Sequence, residues 1–425
     1  MKFSNYITTI KDFPMEEVYL VYSHIKKTAT IIGKDTYDTI IQNKKISDNM
    51  YEKLKNMNII VDNEKEDEKN ADYYINNLKN QEDTLGLIIT PTMWCNMACQ
   101  YCFEPDCRKI NDMTETTANR IIRWLDDLLS KKEFKLIDVQ FFGGEPTQNM
   151  EILMYLYDKI GEISKNYQIP VKFSIVTNGY FDEKVLHQLL EMDIRDFQVT
   201  IDGGKYEHNI RKPGIQGEET FDIIYKNFVE LSKKLKENDD TLMLRINVDE
   251  TNYKSAEQLL QDLAQEIDVT KVYINICKTN WSDERYCCPN YYLTQLNELA
   301  INLGYKFEFH VGSFASCYLA KRNAIIIDQY ANTYKCLLQI GNSDFSSGAI
   351  EDYYETGYPK FSDIPLDEKC KKCKYLLICH GGCKEAAYRY KGSIMKTECK
   401  YNYYEETIIN DIKLYYKHFF ASYLA

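Results

Sequence analysis

The alternation of strand-like and helix-like segments between Leu85 and Ile276 constrains the fold more than any other feature of the sequence. Six short apolar, β-branched runs recur there: GLIITP, LIDVQFF, VKFSIVT, DFQVTID, LMLRINV and KVYINI. Helical patterns separate them, and in the first of these Ile121, Trp124, Leu125, Leu128 and Leu129 fall on one face. Strands alternating with helices predict parallel βα units, and a complete barrel needs eight. We therefore expect an α/β fold with an open, partial (β/α)6 TIM barrel over residues 85–280.

The segments on either side of this barrel have different patterns. Residues 1–62 contain the strand-like runs EVYLVYS and TATIIG, two short helical patterns and a returning IIV, which predict a small winged-helix-like domain. Residues 63–84 are highly charged and predict a linker. After Ile276 the chain becomes rich in Tyr, Cys, Asn and Gly, and such a loop-rich tract needs covalent or metal staples. We expect a bridging region over residues 281–316, a loop-rich domain over 317–400 and a C-terminal helix over 401–425.

Composition limits the classes of protein to consider. The chain has 425 residues, of which 44% are hydrophobic, enough for one large core and smaller domains. No apolar run reaches the roughly 18 residues of a spanning helix, and the N-terminus lacks the apolar core of a secretory signal. These features predict a cytoplasmic protein without a membrane partner. The net charge of -12, with acidic residues spread along the chain, argues against nucleic acid as a partner.

The cysteines indicate metal or redox chemistry. Fourteen cysteines are present, and a reducing cytosol does not maintain disulfides. Four lie between Cys95 and Cys107, none follows until Cys277, and nine lie beyond that position. Two cysteine-rich regions thus flank a middle region without cysteine, which favours two separate metal-binding regions.

Cys95, Cys99 and Cys102 stand in the stretch TMWCNMACQYCFEP, directly after the first predicted barrel strand. In such barrels the carboxyl ends of the strands build the active site. A structural zinc site uses four ligands and is closed. A four-iron cluster held by three thiolates instead leaves one iron open for another ligand. Unrelated core or zinc cysteines are the alternative interpretation.

Polar residues and glycines follow the next three predicted strands. They are Gly143, Gly144 and Glu145 in FFGGEP, Asn178 in TNG, Thr200 and Asp202 in VTIDGG, and Arg211 in HNIRKPG. Because the carboxyl ends of parallel strands share one rim, we expect these residues to converge on one pocket, with Asn247 as a further candidate. The alternatives are a plain strand-to-helix turn at GGEP and a surface salt bridge at Arg211.

The motif CxxxCxxC, with Tyr101 before its last cysteine, resembles that of the radical S-adenosylmethionine (SAM) enzymes. The resemblance implies that Cys95, Cys99 and Cys102 hold a [4Fe–4S] cluster whose fourth iron is chelated by SAM. It implies that GGEP holds the methionyl amino group and that Thr200 replaces a Ser near the SAM carboxylate. By the same resemblance, Tyr101 belongs to the cofactor site, and Asn178, Asp202 and Arg211 line the SAM and substrate cavity.

The C-terminal cysteines resemble the SPASM extension of radical SAM peptide-modifying enzymes, which binds two auxiliary iron–sulfur clusters. The implied ligands are Cys370, Cys373, Cys379 and Cys399 for the distal cluster, and Cys317, Cys336 and Cys383 for the proximal one. Ala331 stands where the family usually has Gly, so we expect that turn to avoid a positive φ. A pair of zinc ribbons is the competing interpretation.

Four cysteines have no assigned place: Cys107, Cys277, Cys287 and Cys288. No cysteine lies between Cys317 and Cys336, where some relatives supply a fourth proximal ligand. Either the proximal cluster has an open iron, or Cys277, Cys287 or Cys288 completes it. Free cysteines are more often small buried hydrophobic residues than catalysts.

Together these resemblances imply an enzyme that uses SAM and three [4Fe–4S] clusters to modify a precursor peptide with a leader segment. Reduced flavodoxin or ferredoxin is the expected electron donor. The N-terminal domain resembles, in arrangement, the elements that grip such leaders, and thioether formation is the leading hypothesis. Carbon–carbon or carbon–oxygen crosslinking and sulfatase maturation, which produces formylglycine, are the alternatives; a zinc-stabilised peptide-binding module is the alternative without catalysis.

Overall fold

The chain divides into two compact units in the computed structural model. The structure describes residues 1–79, 83–103, 112–192, 194–234, 240–279, 290–307, 317–357, 364 and 366–420. Unit 1 contains residues 1–81, 309–321 and 363–425, and unit 2 contains residues 82–308 and 322–362. We call residues 317–400 the cysteine-rich tract. The N-terminal segment and six of the seven cysteines of this tract therefore belong to the same unit.

The strands and α-helices of the described residues alternate through the middle of the chain as the sequence predicts. The strands are β1 (Lys2–Phe3), β2 (Ile7–Ile10), β3 (Val18–Ser23), β4 (Thr28–Gly33), β5 (Ile60–Val61), β6 (Thr84–Thr92), β7 (Leu136–Gly143), β8 (Val171–Thr177), β9 (Ile194–Thr200), β10 (Thr241–Val248), β11 (Val272–Lys278), β12 (Lys306–Phe307), β13 (Ala324–Ile327), β14 (Asn332–Tyr334) and β15 (Ser346–Ala349). The helices are α1 (Lys34–Ile41), α2 (Asp48–Asn56), α3 (Glu64–Lys79), α4 (Glu115–Lys131), α5 (Met150–Tyr167), α6 (Glu183–Glu191), α7 (Lys205–Arg211), α8 (Phe221–Lys234), α9 (Tyr253–Glu266), α10 (Asn290–Asn302), α11 (Glu368–Lys371), α12 (Leu376–Cys379), α13 (Lys384–Lys391) and α14 (Tyr401–Tyr415).

Unit 2 is built on a ten-stranded sheet with the order β12-β11-β10-β9-β8-β7-β6-β13-β14-β15. The six predicted strands, β6 to β11, are adjacent in chain order and parallel, so the predicted parallel α/β core is confirmed. Helix α4 shows how the helices cover it: the side-chain oxygen of Thr114 caps its first turn, and Ile121, Leu125 and Leu128 are buried. This order brings the carboxyl ends of β6 to β11 to one edge of the sheet.

The alternation extends beyond the six predicted units. Helix α10 and strand β12 fall in the predicted bridging region, and β12 pairs in parallel with β11. Strand β13, from the predicted loop-rich domain, pairs in parallel with β6. A partial barrel leaves both edge strands with unpaired backbone groups, which explains why short later segments add to each edge. The boundaries predicted at residues 281 and 317 therefore do not separate β12 and β13 from the barrel sheet.

Unit 1 begins with the antiparallel sheet β2-β3-β4 and with helices α1 and α2, which pack in one core. The predicted runs in this segment form β3, β4, α1, α2 and β5 as expected. Buried members of the core are Tyr19, Val21, Ile40, Leu54 and Ile60. The likeness to a winged-helix domain stays a prediction.

The linker predicted over residues 63–84 contains the helix α3 instead. Its buried Ala71 and the half-buried Tyr74 and Ile75 lie at helical spacing and pack with Leu376 and Leu377 of α12. This short apolar stripe was not recognised in the sequence because charged residues dominate the segment. Helix α3 therefore joins the N-terminal segment to the cysteine-rich tract in one small core.

The turn at Ala331 differs from the expectation. Ala331 is fully buried and has a φ of 63°, so the left-handed conformation is present although the residue is not glycine. Its N–H donates to the carbonyl of Asp328 at 3.0 Å, and the Asp328 carboxylate accepts from the N–H groups of Tyr330 and Asn332. The hairpin between β13 and β14 imposes this conformation on whichever residue occupies the position.

None of the helices formed by the described residues has the length and apolar composition needed to cross a bilayer.

Candidate active site

At the base of the predicted pocket, the segment FFGGEP packs against the backbone at the end of β6 and just after it. A Cβ atom at Gly143 would overlap the carbonyl oxygen of Thr92, and one at Gly144 would overlap those of Met93 and Trp94. Gly143 also has a φ of 139°, which favours glycine. Glycine is therefore required at both positions because the backbone that leads into the cysteine motif lies against them. The sequence alone did not reveal this contact.

The cysteine loop is held on its other side by residues 211–215. The N–H groups of Ala98 and Gln100 donate to the carbonyls of Pro213 and Arg211 at 2.7 and 3.0 Å. The N–H of Ile215 donates to the carbonyl of Asn96 at 3.2 Å. Residues 96–100 and 211–215 thus form an antiparallel backbone ribbon, which fixes the position of the loop.

The thiols of Cys95, Cys99 and Cys102 lie close enough on this loop for the charge of one to affect the pKa of another. Burial raises the pKa of Cys95 to about 12, with a further contribution from the nearby Glu145. A thiolate at this position needs a compensating cation, as iron supplies. The amide Nδ2 of Asn178 lies 3.7 Å from the Cys95 sulfur and donates to it, as amides do to cluster sulfurs. This donor set fits a [4Fe–4S] cluster with three protein ligands, and that ligation stays a prediction.

Glu145 is completely buried at the edge of the sheet and is held by donors from two strand ends. Its Oε1 accepts from the hydroxyls of Thr147 and Thr177 at 2.7 and 2.8 Å, and its Oε2 accepts from the N–H of Asn178 at 2.7 Å. Burial raises the pKa of Glu145 although these hydrogen bonds oppose the rise. The carboxylate thus joins the ends of β7 and β8 and places Asn178 beside Cys95.

Tyr101, Asp202 and Arg211, predicted separately, meet in one buried network. The Tyr101 hydroxyl donates to Asp202 Oδ2, and Asp202 Oδ1 accepts from the backbone N–H of Asn247 at 2.8 Å. The Arg211 guanidinium lies over the Tyr101 ring, 5.3 Å from its centroid. Arg211 is only 5% exposed, so the surface salt-bridge interpretation of this residue is wrong.

Two further members of the network were missed by the sequence analysis. Arg211 Nη1 donates to Asp249 Oδ2 at 2.5 Å, and Nη2 donates to the Thr279 hydroxyl at 2.6 Å. Burial would raise the pKa of Asp249, but hydrogen bonds from Thr251 and Arg211 hold it below its usual value. Asp249 directly follows the predicted strand LMLRINV, so inspecting the first polar residue after each predicted strand would have found it. Thr279 follows β11 but lies three residues beyond the predicted strand KVYINI.

The remaining predicted pocket residue, Thr200, ends β9 and pairs in register with Arg245 of β10. It lies at the same strand edge as Asp202. Its role toward SAM stays a prediction, as do the cofactor-binding roles of Gly143, Gly144, Glu145 and Asn178.

In unit 1, the charges of the cysteines predicted for the distal cluster influence one another. Burial raises the pKa of Cys379 to about 11, and the neighbouring thiols of Cys370, Cys373 and Cys399 raise it further. Cys370 and Cys373 lie on one turn, since the N–H of Cys373 donates to the carbonyl of Cys370 at 3.1 Å. Their ligation of the distal cluster stays a prediction.

The other cysteines are distributed between the units. Cys317 and Cys383 belong to unit 1 and Cys336 to unit 2, so their joint ligation of a proximal cluster stays a prediction. The Cys277 thiol donates to Asn275 Oδ1 at 2.9 Å within unit 2. Cys107, Cys287 and Cys288 lie outside the described residues. Among the described residues, no three His, Cys, Asp or Glu side chains group as ligands of a single metal ion.

Comparison with protein families identifies the domain that carries this site. Residues 89–263 match the model of the Radical SAM superfamily. The match begins within β6 and ends within α9, so it includes the cysteine loop, FFGGEP and every member of the buried network except Thr279. It covers the part of unit 2 in which the predicted SAM site lies.

Two curated proteins are similar to the chain at low identity. The Radical SAM cyclopropyl synthase TigE of Paramaledivibacter caminithermalis is 22% identical over 276 residues, which are 61% of this chain and 56% of that protein. The chain thus spans little more than half the length of TigE. The Cysteine-type anaerobic sulfatase-maturating enzyme of Clostridium perfringens is 23% identical over 364 residues, 75% of this chain and 93% of that enzyme.

Two solved structures share the fold. Native anSMEcpe with bound AdoMet and Kp18Cys peptide has a TM-score of 0.59 and 19% identity, and it covers 79% of this chain and 97% of its own. Streptococcus suis SuiB bound to the precursor peptide SuiA has a TM-score of 0.56 and 16% identity, and it covers 94% of this chain and 99% of its own. The chain therefore contains a domain of the Radical SAM superfamily over residues 89–263.

Proposed function

We propose that the chain modifies a ribosomally made precursor peptide and joins a Cys sulfur of that peptide to a carbon of another residue in a thioether. The transformation breaks one C–H bond and one S–H bond and forms one carbon–sulfur bond. The carbon would lose its hydrogen atom to the 5′-deoxyadenosyl radical from SAM, the thiol proton would go to solvent, and the remaining electron would pass to an auxiliary cluster. The observation that carries the proposal is the N-terminal sheet β2-β3-β4, which belongs to the same unit as most of the C-terminal cysteines and has an edge suited to binding a peptide strand.

The outer edge of β4 has backbone groups directed away from the sheet. The N–H of Lys34 donates to the carbonyl of Glu17 at 2.9 Å. Glu17 and Lys34 are thus a hydrogen-bonded pair that continues the register of β3 and β4, in which Val18 lies opposite Gly33. Hydrogen-bonded pairs alternate in an antiparallel ladder, so Thr28, Thr30 and Ile32 bond to β3. Ala29 and Ile31 therefore direct their N–H and C=O groups outward. Within the described residues no strand pairs with this edge, and an extended leader can add to it by β-augmentation.

The barrel rim would hold the reactive cofactor. When bound there, SAM and its cluster supply the 5′-deoxyadenosyl radical that removes hydrogen from the substrate. Cys95, Cys99 and Cys102 would ligate that cluster. The buried network beneath the loop contains one guanidinium, Arg211, against two carboxylates, Asp202 and Asp249. This excess of negative groups supports a site for a cationic cofactor such as SAM.

The cysteine-rich tract would hold the auxiliary clusters. We propose that Cys370, Cys373, Cys379 and Cys399 ligate the distal cluster and that Cys317, Cys336 and Cys383 ligate the proximal one. Reduced flavodoxin or ferredoxin would supply electrons to the SAM-site cluster.

A sulfatase-maturing activity, which would oxidise Cys or Ser to formylglycine, is the second candidate. The alignment with the sulfatase-maturating enzyme of Clostridium perfringens supports it, since the match extends over 93% of that enzyme. The likeness to SuiB, whose structure holds a precursor peptide, extends over 94% of this chain and supports the first candidate through the fold. Carbon–carbon or carbon–oxygen crosslinking by the same site is a further variant of the first candidate.

The test uses a single substitution at the β4 edge, because deleting residues 1–80 would also expose Leu376 and Leu377 of the shared core. Proline at Ile31 removes an outward N–H but no ladder bond to β3. We expect Ile31→Pro to weaken binding of a leader-bearing peptide at least about tenfold. SAM cleavage without peptide should be unchanged, and Ile31→Val should behave as the unmodified chain.

Fluorescence anisotropy of a labelled leader peptide measures the binding, and mass spectrometry of the product separates the candidates. A product that has lost a hydrogen pair and no longer reacts with thiol reagents supports the thioether. Conversion of Cys to an aldehyde supports sulfatase maturation. Equal leader affinity of the Ile31→Pro and Ile31→Val variants would contradict β-augmentation at this edge.

A further inference from the structure

Lys212 lies directly opposite Cys99 in the backbone ribbon that holds the cysteine loop. Three hydrogen bonds of this ribbon pair Ala98 with Pro213, Gln100 with Arg211, and Asn96 with Ile215. An isolated bridge between Met97 and Gly214 has the same antiparallel register. Cys99 and Lys212 therefore form the non-hydrogen-bonded pair between them, in which the Cβ atoms lie about 4.5–5.5 Å apart on one face.

The environment of Lys212 is unusual for a lysine. The residue is only 3% exposed, whereas lysines are almost never buried unless they are paired. Within the described part of the chain its ammonium makes no hydrogen bond or ion pair with a carboxylate. Its backbone is fixed, since its N–H donates to the carbonyl of His208 at 2.8 Å and its carbonyl accepts from the Thr220 hydroxyl at 2.7 Å.

The charge of Lys212 acts on the Cys99 thiol. Burial raises the pKa of Cys99, Lys212 is the positive group that opposes this rise, and Cys102 and Asp202 add to it. The register therefore places the positive charge of Lys212 beside the side chain of Cys99.

We propose that Lys212 is a positioning residue whose positive charge lies beside Cys99 and raises the reduction potential of the cluster held by the cysteine loop. This inference rests on the proposed ligation by Cys95, Cys99 and Cys102, but it does not depend on the peptide substrate. Reduction adds one electron to the cluster, so a fixed positive charge nearby stabilises the reduced form more than the oxidised form. The lysine thereby makes it easier for the physiological donor to deliver that electron.

The test is an anaerobic redox titration of the full-length reconstituted chain, followed by electron paramagnetic resonance. The relevant cluster is the one whose signal changes when SAM is added. Lys212→Met removes the charge and keeps an apolar stem of similar length, and Lys212→Arg keeps the charge. We expect Lys212→Met to disfavour reduction about tenfold, a shift of about 59 mV to more negative potential for one electron. Lys212→Arg should titrate close to the unmodified chain.

The iron and sulfide contents of the two variants give a second readout. Loss of the cluster from Lys212→Met but not from Lys212→Arg would also support a requirement for the charge. Equal potentials in Lys212→Met and the unmodified chain would overturn the inference, and so would equal shifts or equal cluster loss in both variants. If the unmodified chain holds no SAM-responsive cluster, the proposed ligation fails instead, which is a distinguishable result.

Discussion

At the scale of single residues, the buried ion pair of Arg211 and Asp249 gives the sharpest stability prediction. Arg211→Met leaves the carboxylates of Asp202 and Asp249 buried without their cation, so we expect unit 2 to lose about 3 kcal/mol of unfolding free energy. Urea unfolding monitored by circular dichroism measures the change. Lys205→Met, which removes an exposed ion pair with Asp222, is the control and should leave the midpoint unchanged. Equal midpoints of the two variants would contradict this account.

His24 gives a second residue-scale prediction, on pH dependence. Burial lowers the pKa of His24 to about 3, with a smaller contribution from the charge of Lys374, and its Nε2 lies 2.9 Å from the Thr8 hydroxyl. The unfolded chain binds this proton below about pH 6.5, but the folded chain does not. Stability of unit 1 is therefore complete above that pH and falls as the pH drops, by about 2 kcal/mol at pH 5.

Hydrogen–deuterium exchange of β3 and β4 at pH 5 and 7.5, corrected for intrinsic exchange rates, measures this loss. His24→Asn should lower the protection at pH 7.5 and reduce its dependence on pH. A variant that keeps the full pH dependence would show that another group is responsible.

From the sequence, the positions of polar residues were predictable where a short motif follows a strand. The cysteine loop, Tyr101, Asp202 and Arg211 lie in one region because the carboxyl ends of parallel strands share an edge. Asp249 was missed because its partner, Arg211, is 38 positions away in the chain. No steric reason for glycine at Gly144 was evident from the sequence, and the structure supplies one, because a Cβ atom there would overlap the backbone of Met93 and Trp94.

At the scale of elements, the hairpin turn before β14 makes a testable prediction. Ala331 has a left-handed φ, a conformation that costs a non-glycine residue roughly 1–2 kcal/mol. Ala331→Gly removes that strain but adds freedom to the unfolded chain, so we expect a net gain of about 0.5–1 kcal/mol. Thermal unfolding measures it. Tyr330→Gly, in the same turn but without a positive φ, should lower stability instead. A loss of stability in both variants would show that the left-handed conformation of Ala331 is not strained.

The sequence predicted most elements of the barrel but not all of the packing between elements. Periodic apolar residues identified β6 to β11 and the helices between them because each buries a continuous face. The short strands β12 and β13 have too few residues to show a period, and they form because the partial barrel offers edges. Helix α3 was missed because only three apolar side chains face its partner.

At the scale of the whole molecule, the division into units was beyond sequence reasoning. Unit 1 joins residues from both ends of the chain, as the hydrogen bond from the Tyr6 hydroxyl to the Lys371 carbonyl illustrates. Such contacts depend on tertiary folding and leave no local pattern. The N-terminal sheet is therefore packed with the cysteine-rich tract of the same unit, which agrees with the proposal that both serve one peptide substrate.

The central claim is that the chain is a radical SAM enzyme whose SAM-binding cluster is held by three thiolates. The most direct test is to reconstitute the chain anaerobically, add dithionite and SAM, and measure 5′-deoxyadenosine beside the iron, sulfide and zinc contents. We predict about twelve iron atoms with matching sulfide, and cleavage that is lost in Cys99→Ala but retained in Cys277→Ala. Zinc with little sulfide, or cleavage that survives Cys99→Ala, would contradict the account.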